Sequence, residues 1–145
     1  MIAYQDREYV IETIRKNREK HRMTKTYMSI QLGFRSPSGY ANIEYGKRNL
    51  SFINGVKIFK LLNMGFTNIS IESFTVDKLK KYRKERGISI TFISRKLGYK
   101  RPSSYANIEN GKRNLSFINA VKISQILNVE VEELFFTQNI HKMNN

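Results

Sequence analysis

The sequence contains no cysteine, which excludes disulfides and every thiolate-based metal or redox site. Histidine is nearly as scarce, and His21 and His141 have no companions at metal-ligand spacing, so both read as surface groups. Acidic residues are the next shortage. Twelve Asp and Glu face 26 Lys and Arg, which leaves a formal charge of +14. Such an excess attracts polyanions, because binding releases the counterions condensed on phosphate. Nucleic acid is the first partner class it fits and an anionic membrane surface the second. No apolar run approaches the roughly 20 residues of a membrane span, and the opening MIAYQDREYVIE lacks the apolar core of a signal peptide. These absences point to a cytoplasmic, nucleoid-associated protein. No Ser–His–Asp logic, carboxylate pair or Gly-rich phosphate loop stands out, so the chain reads as a non-enzyme with no cofactor and no small-molecule ligand.

What is present is a repeat. Shifting the sequence by 65 positions aligns Ile14–Met64 with Leu79–Val129 without a gap, and 27 of those 51 positions are identical. The densest block is YANIEYGKRNLSFINGVKI from Tyr40 against YANIENGKRNLSFINAVKI from Tyr105. The repeat divides the chain into domains at 1–70 and 71–145, each close to the lower limit for a self-sufficient core. Both are basic, since residues 1–72 carry twelve basic and six acidic groups and residues 73–145 carry fourteen and six. The join near Ile69–Phe74 has neither Pro nor Gly and predicts no long flexible tether.

Within each copy the apolar spacing is helical and strand signals are absent. In the second copy Thr75 is expected to cap a helix that Gly87 stops, and Ser89 to cap one that ends at Gly98. Pro102 suits the first position of a third helix, closed by Gly111. Ser116 opens a fourth, with Phe117, Ala120, Val121, Ser124 and Leu127 at helical spacing. Val131–Phe135 is a short fifth. The first copy repeats this from about Asp6, with its fifth helix reduced to Phe66–Ser70. The fold class is therefore all-α, with about five short helices per domain.

Leu32-Gly33 followed by Ile43–Arg48, and Leu97-Gly98 followed by Ile108–Arg113, resemble the most specific stretch of the lambda-repressor, Cro and Xre helix-turn-helix family. Leu127-Asn128-Val129 and Glu133-Leu134-Phe135 extend the match, and the resemblance covers both copies. It implies two tandem helix-turn-helix domains whose third helices enter the major groove of double-stranded DNA. The positions it assigns to base edges are Ser36, Ser38, Gly39 and Asn42 in the first copy, and Arg101, Ser103, Ser104 and Asn107 in the second. Asn pairs well with adenine and Arg with guanine. By the same resemblance Lys47, Arg48 and Asn49, with Lys112, Arg113 and Asn114, meet backbone phosphate, which positions a domain without reading sequence. Lys25 joins them at the start of the second helix, where its counterpart Ile90 cannot. Arg35, Lys100 and Ser89 complete the candidate DNA-binding set. Arg18 with Glu44, and Arg83 with Glu109, match a scaffold pair that ties the first helix to the third. Tyr40 and Tyr105 read as core anchors. The turn before the third helix, Phe34–Ser36 or Tyr99–Arg101, is one residue longer than the family's commonest pattern.

The resemblance implies a transcriptional regulator, a repressor in most readings, that reads two similar half-sites. Two alternatives stand beside it. The fold can serve as a protein-interaction module, an antirepressor or adaptor that never reads DNA. The basic surface can also bind RNA, although the aromatics fall mostly on core positions rather than on an exposed platform. The apolar end Leu134-Phe135-Phe136 leaves a homodimer through the second domain open.

Overall fold

The computed structural model describes residues 4 and 6–137. The described residues divide into two compact units, those up to Thr67 together with Ser116–Ile118, and Asn68–Leu115 together with those from Asn119 on. Among the described residues all regular structure is helical, and β-pairing is limited to the isolated bridges Ser51–Ser116 and Phe74–Phe136.

In the first unit Asp6 starts α1 (Arg7–Lys20) by accepting hydrogen bonds from the Glu8 and Tyr9 amides at 2.9 and 3.3 Å. Thr24 caps α2 (Lys25–Gln31) through the Tyr27 amide, and Ser51 caps α4 (Phe52–Leu61) through the Asn54 amide. Between them lies α3 (Ser38–Glu44). The core is built where α1, α3 and α4 turn Val10, Ile14, Tyr40, Ile43 and Val56 inward, each at most 1% exposed. Phe52, Phe59, Phe66 and Phe117 add an aromatic cluster to the same unit, with ring centroids 5.0–6.4 Å apart in the contacting pairs. The expected fifth helix at Phe66–Ser70 does not form. Phe66 adopts a left-handed φ of 59°, which no helix can propagate, and only a 3-10 turn at Ile71–Ser73 follows.

The helices that follow are α5 (Lys78–Glu85), α6 (Ile90–Lys96), α7 (Pro102–Glu109), α8 (Phe117–Leu127) and α9 (Val131–Phe135), all of the second unit except the first two residues of α8. Ser89 caps α6 through the Phe92 amide, and Pro102 occupies the first position of α7. Thr75, however, does not cap α5. Its amide donates to the Phe135 carbonyl at 2.8 Å, holding the chain extended there, and its hydroxyl accepts from the Asp77 amide. The helix therefore begins three residues later, after Asp77, without a side-chain cap. Lys78 secures that start by donating to the carbonyls of Glu133 and Phe136, both at 2.8 Å.

A buried ion pair organises each unit. Arg18 donates from Nε and Nη2 to the Glu44 carboxylate at 2.5 and 3.1 Å, so α1 grips the end of α3 with both prongs. Its third nitrogen, Nη1, donates to the Met23 carbonyl at 2.9 Å. Arg83 repeats the arrangement on Glu109 at 2.9 and 3.0 Å, and on the Ile88 carbonyl at 3.1 Å. Burial pushes the Glu44 carboxyl upward, but the hydrogen bonds from Arg18 and Tyr40 outweigh it and hold the group below the ordinary carboxylate range.

Two differences between the copies make stability tests. The Tyr40 hydroxyl donates to Glu44 at 2.5 Å, whereas the Tyr105 hydroxyl is buried with no hydrogen-bond partner among the described residues. Tyr40→Phe is therefore expected to cost about 1.5–3 kcal/mol, the range for a bond to a charged group, while Tyr105→Phe is neutral or stabilising. Urea unfolding of the full chain measures both, and equal losses would contradict the assignment. The second test concerns the left-handed residue after the first helix of each unit, which is Gly87 (φ 66°) in one and Arg22 (φ 57°) in the other. Arg22→Gly should raise stability and Gly87→Arg lower it, each by about 1 kcal/mol, because only glycine occupies that region without a Cβ clash.

Candidate nucleic-acid interface

In both units a buried serine of the second helix closes the turn to the third, though onto different carbonyls. Ser29 is buried in α2 and its hydroxyl donates to the Pro37 carbonyl at 2.8 Å, while it accepts from the Tyr40 amide at 2.9 Å. Ser94 in α6 donates to the Arg101 carbonyl, one residue earlier in the register of the repeat. One small hydroxyl thus sets how the third helix leaves the second. Tyr40 and Tyr105, both 0% exposed, then anchor α3 and α7 from beneath. With the Arg–Glu pairs at their far ends, both third helices are fixed at start and finish.

That fixation decides which side chains face outward. Ser38 and Asn42 lie one turn apart on the outer side of α3, Ser38 exposed and Asn42 half-buried. On α7 Ser103 and Asn107 are exposed, and Ser104 is half-buried. Arg101 is exposed just ahead of them. Its counterpart Ser36 is exposed too, but its hydroxyl lies 2.7 Å from that of Ser38, so the two serines occupy each other. Gly39 stands apart from this set. It is buried, and a Cβ built on it would overlap the Phe34 ring, so it offers little surface of its own.

The basic residues surround this face. Lys47, Arg48 and Asn49, like Lys112, Arg113 and Asn114, are exposed in the loop beyond the helix, and Arg35 and Lys100 are exposed in the turn before it. The loops are tied to the helices by backbone. The Asn42 carbonyl accepts from the amides of Lys47 and Arg48 at 2.9 and 3.1 Å, and the Asn107 carbonyl from Lys112 and Arg113 at 2.8 and 3.1 Å. Each Lys-Arg pair is therefore held by the same residue whose side chain faces outward from the third helix.

The units differ at the start of the second helix. Lys25 is half-buried and donates to the Tyr45 hydroxyl at 3.0 Å, with its Nζ 4.6 Å from the ring centroid. The neighbouring ammonium draws the Tyr45 hydroxyl below its ordinary pKa. Ile90 and Asn110 occupy these places in the second unit, so that cation and its partner exist once. Ser89 is exposed, but its hydroxyl is engaged as the cap of α6.

Several expectations meet a different environment. Leu134, Phe135 and Phe136 are fully buried within the second unit, so the apolar end that raised a homodimer presents no free surface. His21 is exposed, with Nε2 2.9 Å from the Leu62 carbonyl, and His141 lies outside the described residues. Ser29, Ser94, Phe34, Tyr99 and Tyr45 shape the site but were not in the candidate set. The repeat is the signal for four of them, since Ser29 and Ser94 are identical and Phe34 and Tyr99 are both aromatic, while Tyr45 aligns with Asn110 and has no such signal. Among the described residues no group of three or more His, Cys, Asp or Glu converges as a metal site, and no helix is long and apolar enough to cross a membrane.

Comparison with known proteins bears on this geometry. No solved structure gives a significant match. A protein of Mycoplasma sp., control protein C.MunI, is 43% identical over 60 residues, which is 41% of this chain and 80% of that protein. The helix-turn-helix family profile matches residues 79–134, the span from α5 to α9 that holds the Ser94 turn, α7 and its Lys-Arg loop. Through these residues the chain belongs to the helix-turn-helix family.

Proposed function

We propose that this protein is a sequence-specific double-stranded DNA-binding regulator of transcription, acting as a repressor, with α3 and α7 reading two similar half-sites. The observation that carries the reading is the outward face of the third helix. In both units an Asn stands at the same position of a helix held at both ends, and the loop beyond it carries an exposed Lys-Arg pair. Asn matches the donor and acceptor of an adenine edge, and the flanking Lys and Arg match phosphate. The likeness to a control protein supports a regulatory role.

The tandem reading rests on the first unit. Although the family profile covers only 79–134, the first unit has the same order of its first four helices, the same buried Arg–Glu pair and the same Ser29 turn. Linking two reading domains raises the effective concentration for the second contact, so one chain acts as a covalent pseudo-dimer. The half-site centres are expected about one helical turn, 10–10.5 bp, apart. Ser36 against Arg101 and Gly39 against Ser104 are the places where the two half-sites differ. Action on DNA in the cytoplasm, at the nucleoid, completes the reading.

Selecting bound sequences from a random DNA library tests it directly, and the reading requires an enriched motif with two related halves. On that motif Asn42→Ala and Asn107→Ala should each weaken binding by about 1–3 kcal/mol and relax the preference at one base position. Unchanged preference in both variants would mean that α3 and α7 are not the reading helices. Footprinting a form with Asn42, Lys47 and Arg48 all changed to Ala should remove protection over one half-site, and an unaltered footprint would confine DNA reading to the second unit. Replacing Lys112 and Arg113 with Gln should weaken all DNA sequences alike and lower the salt slope by about one for every phosphate that is no longer neutralised. A slope that does not move would leave these residues as solvated surface.

A further inference from the structure

Arg48 and Arg113 do not hang loose beyond their helices. The Arg48 guanidinium carbon lies 4.6 Å from the centroid of the Phe34 ring, and that of Arg113 lies 4.6 Å from the Tyr99 ring. Both rings belong to the turn before the third helix, and both arginines to the loop after it, so each stack joins the two ends of the outward face. Both arginines are nonetheless exposed, and neither guanidinium forms a hydrogen bond or ion pair with another described residue.

The rings are held by unlike means. In the first unit Gly39 leaves room for Phe34 to lie against the first turn of α3, because any Cβ at 39 would overlap the ring. In the second unit Ser104 stands at that position, and Asn119 Nδ2 instead donates to the Tyr99 hydroxyl at 2.9 Å. Two different supports deliver the same arginine-to-ring distance. The stack, rather than either support, is the common feature of the two copies.

A guanidinium lying over a ring at this distance keeps N–H donors at its edge for other partners. The backbone of each arginine is already fixed on the Asn42 or Asn107 carbonyl. A side chain restrained in this way loses less freedom when it captures two oxygens than one that must first be ordered. We propose that Phe34 and Tyr99 are positioning residues for nucleic-acid binding, holding Arg48 and Arg113 beside the third helix for two-pronged contact with backbone phosphate. This inference rests on the DNA-binding reading and adds to it the device that orients the cations.

The test uses the full chain and the DNA motif selected by the wild type. Phe34→Leu and Tyr99→Leu should each weaken binding about two- to fivefold, the range for an exposed cation–π contact. Phe34→Tyr and Tyr99→Phe, which keep a ring, should retain most of the affinity. In an Arg113→Gln background Tyr99→Leu should cost nothing further, whereas additive losses would show that the ring acts through fold stability alone. Gly39→Ala should weaken binding as Phe34→Leu does and add nothing to it. Should a Leu variant fold poorly by urea unfolding, Arg113→Lys supplies the same readout with both rings intact. It keeps the charge, gives up the flat face, and should lose a similar two- to fivefold. Leu variants that bind as tightly as the wild type, or more tightly because the rings withdraw the arginines, overturn the positioning role while DNA binding stands. A wild type that enriches no DNA motif overturns the DNA-binding reading itself.

Discussion

In each unit a glutamate at the end of the third helix is withdrawn from water, and an arginine from the first helix makes that burial tolerable. Alone, either group would face a desolvation penalty of several kcal/mol, so the two are far more valuable together than their net contribution suggests. The pair sets geometry as much as stability. Arg18 and Arg83 use their remaining nitrogen on a carbonyl at the entrance to the second helix, at Met23 and Ile88 respectively. One side chain therefore locates three helices at once. The orientation of the outward face, and with it the direction in which Asn42 and Asn107 project, follows from that single cation.

The division of labour around the third helix is also a division by depth. Beneath it sit Tyr40 and Tyr105, fully enclosed, and at one end Ser29 and Ser94 stitch the turn with short hydroxyl bonds. Above it the charges are nearly all of one sign. Small domains have little core to spend on holding a functional surface. Here neutral contacts and one buried ion pair do the holding, which leaves the outer cations unneutralised.

Much of this was legible in the sequence because it is local. Caps at Asp6, Thr24, Ser51 and Ser89, the proline at the head of α7, and the inward spacing of Tyr105 and Ile108 depend on residues a few positions apart. The repeat made the caps Thr24 and Ser89, and the inward Tyr and Ile of the third helix, readable twice. What escaped depends on distant partners. Thr75 has the chemistry of a cap, but its amide is taken by the Phe135 carbonyl sixty residues away, so the helix starts later. Leu134-Phe135-Phe136 has the composition of an interface and instead fills the unit's own core. Ser29 is an unremarkable polar residue in a helix until the turn folds back over it. The family resemblance places Gly39 among the groove-facing positions, whereas it is buried with the Phe34 ring against it.

The contact between Gly39 and Phe34 also constrains how the two halves of this gene can diverge. A serine at position 39, as at Ser104, would drive a Cβ into the Phe34 side chain, which would have to shift. Positions 34 and 39 are therefore sterically coupled. Recombination that breaks between residues 34 and 39 should yield poorly tolerated hybrids, while exchanges carrying the whole segment pass. The close contact of Gly39 with the Phe34 ring thus has no counterpart at Ser104, so the two turns are not interchangeable residue by residue.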